Sequence, residues 1–242
     1  NMKLKLEEPL LFSKPIELMS ELVLEVRLKV NEFGLSITAL DPANVAMVGF
    51  KLPRSAFAEF ESGEEVLGVN LENLKKILKR CSKTSSLIIE KRENTLDIKI
   101  EDKIKRNFSL GLIEVEGEDR EMPSLEFCAR IELDSQDLID AIEDASVVSD
   151  ACSFIVKDNN FVVEAKELNS ARAEFSGDSI SIQAEDCHSR YSLDYLQKFM
   201  KAAKLSEKTK LNFAENHPLR LDFGGESFSL SFVLAPRVET ED

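Results

Sequence analysis

The sequence predicts an α+β protein built from two copies of one domain, each with two helices packed on antiparallel sheet. Three observations carry that reading. First, Leu71–Cys81 and Leu193–Lys204 are both amphipathic and basic, and a shift of 122 residues (71 to 193) lays one on the other. It puts Leu71 on Leu193, Leu74 on Leu196, Lys76 on Lys198, Ile77 on Phe199 and Lys79 on Lys201. Second, the same shift carries Phe108, Leu110 and Leu112 onto Leu230, Phe232 and Leu234, which keeps a strand alternation in register. Third, residues 114–126 are acidic, include Gly117 and Pro123, and show no sustained period, as a connector would. The domains are therefore expected at 2–113 and 127–235, joined by 114–126 and followed by a tail, 236–242.

In chain order, Met2–Glu7 reads as a strand and Phe12–Val23 as a helix, capped by Ser13 with Pro15 in its first turn. Leu24–Val30 alternates strictly and is expected to be a half-buried strand, turned by Asn31–Gly34 into a second strand, Leu35–Leu40. A loop through Val45 precedes a strand that Pro53 ends, and short strands at Phe57–Phe60 and Val66–Val69 lead into the first basic helix. Ser86–Lys91, Thr95–Ile100 and Arg106–Ile113 form a meander. After the connector come a strand, Cys128–Leu133, and a helix, Ser135–Ala145. A hairpin follows, Ser153–Lys157 with Phe161–Lys166, then strands at Ala171–Phe175 and Ile180–Ala184 and the second basic helix. Lys210–Ala214, Leu219–Phe223 and Ser227–Leu234 complete the order.

With 43% hydrophobic and 31% charged residues, the composition is that of a soluble globular chain. No apolar run approaches the ~18 residues that span a bilayer, and the opening lacks the pattern of a secretory leader, so a cytoplasmic protein without a membrane partner is expected. Cys81, Cys128, Cys152 and Cys187 contain no C-x-x-C pair and read as reduced thiols. The formal charge of -14 repels nucleic acid from most of the surface. Any DNA contact must be local, and the two basic helices are the candidates.

Little here proposes catalysis. There is no phosphate-binding G-x-x-x-x-G-K-[ST], no dinucleotide glycine pattern and no G-x-S-x-G, and His188 and His217 are the only histidines. Asp41, Asp137, Asp140 and Asp144 could serve a carboxylate-dependent metal hydrolase, but in a chain with 45 acidic residues they read first as a solvated face. No catalytic residue, metal site or cofactor is expected.

The sequence resembles the sliding clamps of the proliferating cell nuclear antigen (PCNA) type, in their archaeal form. The resemblance runs from Met2 to Val238 and rests on Leu40-Asp-Pro-Ala-Asn-Val-Ala-Met47, Leu74-Lys-Lys-Ile-Leu-Lys79, Met122-Pro123 and Val233-Leu-Ala-Pro-Arg-Val238. It implies a trimeric ring with helices lining a central channel and sheets outside. Such a ring encircles duplex DNA without reading its sequence and acts as a processivity factor in replication and repair, with no catalysis of its own. A clamp loader places it on DNA, near the nucleoid (in the nucleus if the source were eukaryotic). Lys76, Lys79, Lys198 and Lys201 match the family's channel positions, with Lys14, Lys75, Arg80 and Lys204 as neighbours.

The resemblance also implies that DNA polymerase, clamp loader, flap endonuclease and DNA ligase dock through short peptides carrying a glutamine with aliphatic and aromatic anchors. Their pocket would be lined by Leu40, Val45, Met47, Met122, Pro123, Pro218, Ala235, Pro236 and Val238, with Asn44 beside it. Subunits would join by pairing Arg106–Ile113 with Ala171–Phe175 of the next, through Phe108, Leu110, Leu112, Ala171, Ala173 and Phe175. One departure stands out: helix 135–145 carries Asp137, Asp140 and Asp144 where the family usually has basic residues. That leaves open a homotrimer, a ring shared with more basic subunits, or a protein-interaction scaffold that does not encircle DNA.

Overall fold

The computed structural model describes residues 1–238, so the last part of the expected tail, 239–242, lies outside the described residues. The chain divides into two compact units. One comprises Asn1–Pro42, Val48–Met122 and Gly225–Leu230, and the other Ala43–Met47, Pro123–Gly224 and the chain from Ser231.

The first unit runs β1 (Lys3–Leu6), α1 (Leu10–Met19), β2 (Glu25–Asn31), β3 (Gly34–Leu40), β4 (Ala46–Pro53, in this unit from Val48), β5 (Glu59–Glu61), β6 (Glu65–Asn70), α2 (Leu71–Leu78), β7 (Ser86–Lys91), β8 (Thr95–Glu101) and β9 (Lys105–Gly111). One antiparallel sheet has the order β5-β1-β7-β8-β9, and a second runs β4-β3-β2-β6. Strand alternation decides which face is core: Val26, Leu28 and Val30 of β2 are buried while Arg27 and Lys29 between them face outward. Both helices lie on the apolar side. Phe12 of α1 stacks on Phe50 of β4 with ring centroids 6.4 Å apart, and Leu71, Leu74 and Leu78 of α2 are fully buried.

The first helix starts earlier than the sequence suggested, and Ser13 is not its cap. Pro9 is the entry residue, its carbonyl accepting the N–H groups of Phe12 and Ser13 at 3.1 and 2.9 Å. A proline with its φ already near the helical value nucleates the turn ahead of Ser13, which ends buried inside the helix. Of the strand expected at Phe57–Phe60, Glu59 and Phe60 belong to the short β5, and a 3-10 turn, Arg54–Ala56, precedes it.

The second unit repeats the plan with β10 (Ala129–Asp134), α3 (Ser135–Val148), β11 (Ala151–Lys157), β12 (Asn160–Lys166), β13 (Ser170–Ser176), β14 (Ser181–Ala184), β15 (Cys187–Ser192), α4 (Leu193–Ala203), β16 (Lys208–Phe213), β17 (Leu219–Gly224) and β18 (Ser229–Leu234, in this unit from Ser231). Its strands lie in the orders β13-β12-β11-β15 and β14-β10-β16-β17-β18. Asp158 and Asn159 take positive φ in the β11–β12 turn, the conformation that short polar residues tolerate best. A ring cluster of Phe154, Phe161, Tyr191 and Phe213 fills the core. The strand β15 was not expected. Its inward residues are Cys187, Ser189 and Tyr191, so it lacks the aliphatic alternation that marks the other strands.

Candidate nucleic-acid interface

In the first unit the candidate cations are Lys14 on α1 and Lys75, Lys76, Lys79 and Arg80 on α2 and just past its end. Asn70 caps α2, its side-chain oxygen accepting the N–H of Asn73 at 3.0 Å. With Leu71, Leu74 and Leu78 turned inward, Lys76, Lys79 and Arg80 are left exposed and Lys75 half-buried. These charges are not equivalent. Lys75 pairs with Glu72 at 2.9 Å and holds its carboxyl below the ordinary value. Glu17 of α1 lies between Lys14 at 3.8 Å and Lys79 at 3.6 Å. Lys76 has no such ion pair among the described residues, and neither has the Arg80 side chain. The Arg80 carbonyl accepts a bond from Arg106 of β9 at 3.3 Å, which ties the end of α2 to that strand.

In the second unit α4 buries Leu193, Leu196, Phe199, Met200, Ala202 and Ala203 and exposes Lys198, Lys201 and Lys204. Lys198 lies over the Tyr195 ring, 5.6 Å from its centroid. Its neighbour α3 has the opposite sign: Asp137, Asp140, Glu143 and Asp144 are all exposed, and no Lys or Arg occurs on the helix. At its start Lys208 pairs with Asp134 at 2.6 Å, which raises the lysine's pKa. Helix α3 packs on β12 and β13, just as α2 packs near β9. Both β9 and β13 are outermost strands of their sheets, with one side unpaired within the chain. Along them Leu110 is buried in its own unit at 5% exposure, while Phe108, Leu112, Ala171, Ala173 and Phe175 are half-buried.

The residues expected to hold partner peptides divide between the units. Leu40 and Met122 belong to the first, where Met122 rests on Gly49: a Cβ on that glycine would lie 3.0 Å from Met122 Cγ. Asn44, Val45, Met47, Pro123, Pro218, Ala235, Pro236 and Val238 belong to the second. There the Ala235 N–H donates to the Val45 carbonyl at 3.0 Å, joining the loop to the last described segment. Asn44 is exposed with a φ of 60°, and Val238 is 82% exposed.

Sequence reasoning missed the side chains that hold these pieces. The Arg237 guanidinium pairs with Asp150 at 3.0 Å, beside a backbone bond from the Arg237 N–H to the Arg190 carbonyl at 2.7 Å. Arg27 binds the connector backbone through Val115 and Gly117. Alternation placed Arg27 on an outward face, but no local pattern names a partner some ninety residues away. Among the described residues no three His, Cys, Asp or Glu side chains are grouped to hold a metal ion, and no helix is long and apolar enough to cross a membrane.

Two α+β units, each with a helix pair on one side of antiparallel strands and one basic helix in each pair, define a clamp-type architecture. Residues 1–120 match the family described as proliferating cell nuclear antigen, N-terminal domain, and residues 121–238 match its C-terminal domain. The chain belongs to the PCNA family. It is 36% identical over 236 residues to the DNA polymerase sliding clamp of Thermococcus gammatolerans, covering 94% of this chain and 95% of that protein. The DNA polymerase sliding clamp of Pyrococcus horikoshii is 35% identical over 237 residues with the same coverage. A crystal structure of the proliferating cellular nuclear antigen from Entamoeba histolytica matches with a TM-score of 0.90 at 26% identity, covering 98% of this chain and 99% of that one.

Proposed function

We propose that this chain is a subunit of a DNA sliding clamp, a ring that encircles duplex DNA and tethers DNA polymerase and other replication and repair proteins to it. The observation that carries the reading is a basic helix at the same place in both units of a strongly acidic chain, in a protein whose relatives are named DNA polymerase sliding clamps. Topology supplies retention in such a device, so the channel needs only diffuse attraction to phosphate. Non-specific phosphate binding, with Kd of about 10⁻⁴ to 10⁻⁶ M at physiological salt, is weak enough to permit sliding. The contacting cations are Lys14, Lys75, Lys76, Lys79, Arg80, Lys198, Lys201 and Lys204. The clamp itself has no catalytic step.

Partners, among them the clamp loader, flap endonuclease and DNA ligase, dock as extended peptides in a groove of the loop around Val45, the connector at Met122–Pro123 and the segment Ala235–Val238. Each anchor side chain buried there contributes roughly 1.5–3 kcal/mol before ordering costs.

Subunits join by pairing β9 with β13 of the next, which covers two otherwise open edges. That geometry also gives the acidic helix a role. Because α2 lies near β9 and α3 on β13, edge pairing brings the basic end of α2 and Arg106 toward the carboxylates of α3. Opposite charges then meet across the subunit boundary, which favours association into the trimeric ring that the resemblance implies, of this chain alone or with other clamp chains.

The test is retention on DNA. After loading onto nicked circular duplex, the protein stays on the circle through gel filtration and is lost when the circle is cut. Equal retention on both topologies refutes encirclement and leaves the non-encircling scaffold.

A further inference from the structure

The connector is fastened to the outward face of the first unit's β4-β3-β2-β6 sheet at three of its four strands. At β6 the Ile113 N–H donates to the Gly68 carbonyl at 2.9 Å. Only glycine fits there, since an added Cβ would meet the Ile113 carbonyl oxygen at 1.9 Å. At β2 one guanidinium nitrogen, Arg27 Nη2, donates to two connector carbonyls, Val115 at 2.7 Å and Gly117 at 2.5 Å. Gly117 takes a φ of 90°, so the chain can bend around that nitrogen. Two residues further along β2, the Lys29 ammonium binds the Asp119 carboxylate, which holds that carboxyl below its ordinary value. At β4 Met122 rests on Gly49. The connector thus crosses from one edge of the sheet to β4 as a tied strap.

We propose that Arg27 and Lys29 are positioning residues for partner-peptide docking. They hold residues 113–119 against the sheet so that Met122, at the end of the strap, is presented in its docking position before a peptide arrives. The inference rests on the peptide-groove reading above. A loose connector would have to be ordered by each incoming peptide, and that conformational cost would be subtracted from every partner's affinity. Backbone carbonyls are the targets, so Arg27 holds the strap's path whatever side chains it carries, whereas Lys29 fixes its register through one carboxylate.

The experiment uses the full-length protein and a synthetic peptide with a glutamine, an aliphatic anchor and two aromatic anchors. Arg27→Met keeps the stem and removes the donors. It is expected to weaken peptide binding about tenfold, as the loss of two backbone-directed bonds implies, and to speed amide exchange at 113–119. The urea midpoint and exchange within β2 and β3 stay as in the wild type, a combination that a merely structural role would not produce. Lys29→Asp weakens binding about threefold, and adding Asp119→Lys restores it, because the pair is exposed and interchangeable in sign. Unchanged affinity in Arg27→Met, or unchanged exchange in the connector, overturns the proposal. If Arg27→Met fails to fold, the charge swap decides: no loss in Lys29→Asp, or no recovery in the double variant, overturns it as well. A wild type that binds no such peptide removes the groove reading and this proposal together, whereas a wild type that binds beside an unaffected Arg27→Met removes this proposal alone.

Discussion

Lys76 is the cation whose removal tests the channel reading most sharply. It is exposed on α2, and no carboxylate is paired with it among the described residues, so it can meet a phosphate without first leaving a partner. Lys51 makes a matched control. It is also exposed and has no ion pair among the described residues, but it sits on β4 on the face turned away from α1, since its neighbour Phe50 points inward to Phe12. Each phosphate neutralised contributes about 0.9 to the slope of log K against log salt. Lys76→Ala should therefore lower the slope by about 0.9 if one subunit's lysine is engaged at a time, and by about 2.7 if all three are engaged. Between 50 and 200 mM salt, one such contact changes affinity roughly three- to fourfold. The assay is fluorescence anisotropy of a labelled duplex across that salt range, with Lys76→Arg as the charge-preserving variant. Lys51→Ala should leave the slope where it was. A slope that falls equally in Lys51→Ala, or that does not move in Lys76→Ala, refutes the assignment of α2 to the DNA side.

Four further outcomes are expected. Gly68→Ala forces a methyl group into the Ile113 carbonyl and should cost about 1–3 kcal/mol, read as a lower urea midpoint. Asp144→Lys, at an exposed site on α3, should loosen the oligomer in light scattering by an amount near ~1 kcal/mol per boundary; tighter DNA binding with an intact ring would instead place α3 in the channel. Asp150 has its carboxyl lowered by Arg237, so that tether is fully present above the ordinary carboxylate pKa and is lost as pH falls through the lower folded value. Amide exchange at 235–238 should accordingly rise only in acid well below pH ~4. Burial pushes the Cys81 thiol up to about 11 and Cys152 up to about 12, so native alkylation of Cys81 at pH 8 should run roughly a hundredfold slower than that of an open thiol.

Strands with one apolar face were legible because burial imposes a period of two on β2, β8 and β10. The repeat of α2 in α4 was legible for a related reason: a helix that covers the same core must keep the same inward residues, and its lysines are then carried to equivalent outward places. β15 was illegible because cysteine, serine and tyrosine fill its inward positions. The early start of α1 was illegible because Ser13 is a good cap locally, and only the path of the chain through Pro9 decides against it. For the candidate site, the sequence names the lysines but not their partners. Glu17 lies three residues from Lys14, a local pairing open to inspection, yet it also reaches Lys79 across two helices.

The division between paired and unpaired cations bears on how a clamp can slide. A lysine already held by a glutamate contributes little net field beyond a few ångströms, and it must give up that partner to grip a phosphate. If every cation on α2 were free, the ring would bind phosphate strongly enough to slow its own motion. If all were paired, a chain of charge -14 would repel the duplex it encloses. Leaving Lys76 and Arg80 without an ion pair while Glu72 and Glu17 temper Lys75, Lys79 and Lys14 places the attraction between those limits. The acidic α3 fits the same logic when its carboxylates answer to the next subunit rather than to DNA. The charge that would weaken the channel then closes the ring, and added salt should weaken both functions: DNA affinity through the cations of α2 and α4, and subunit association through the attraction between α3 and the end of α2.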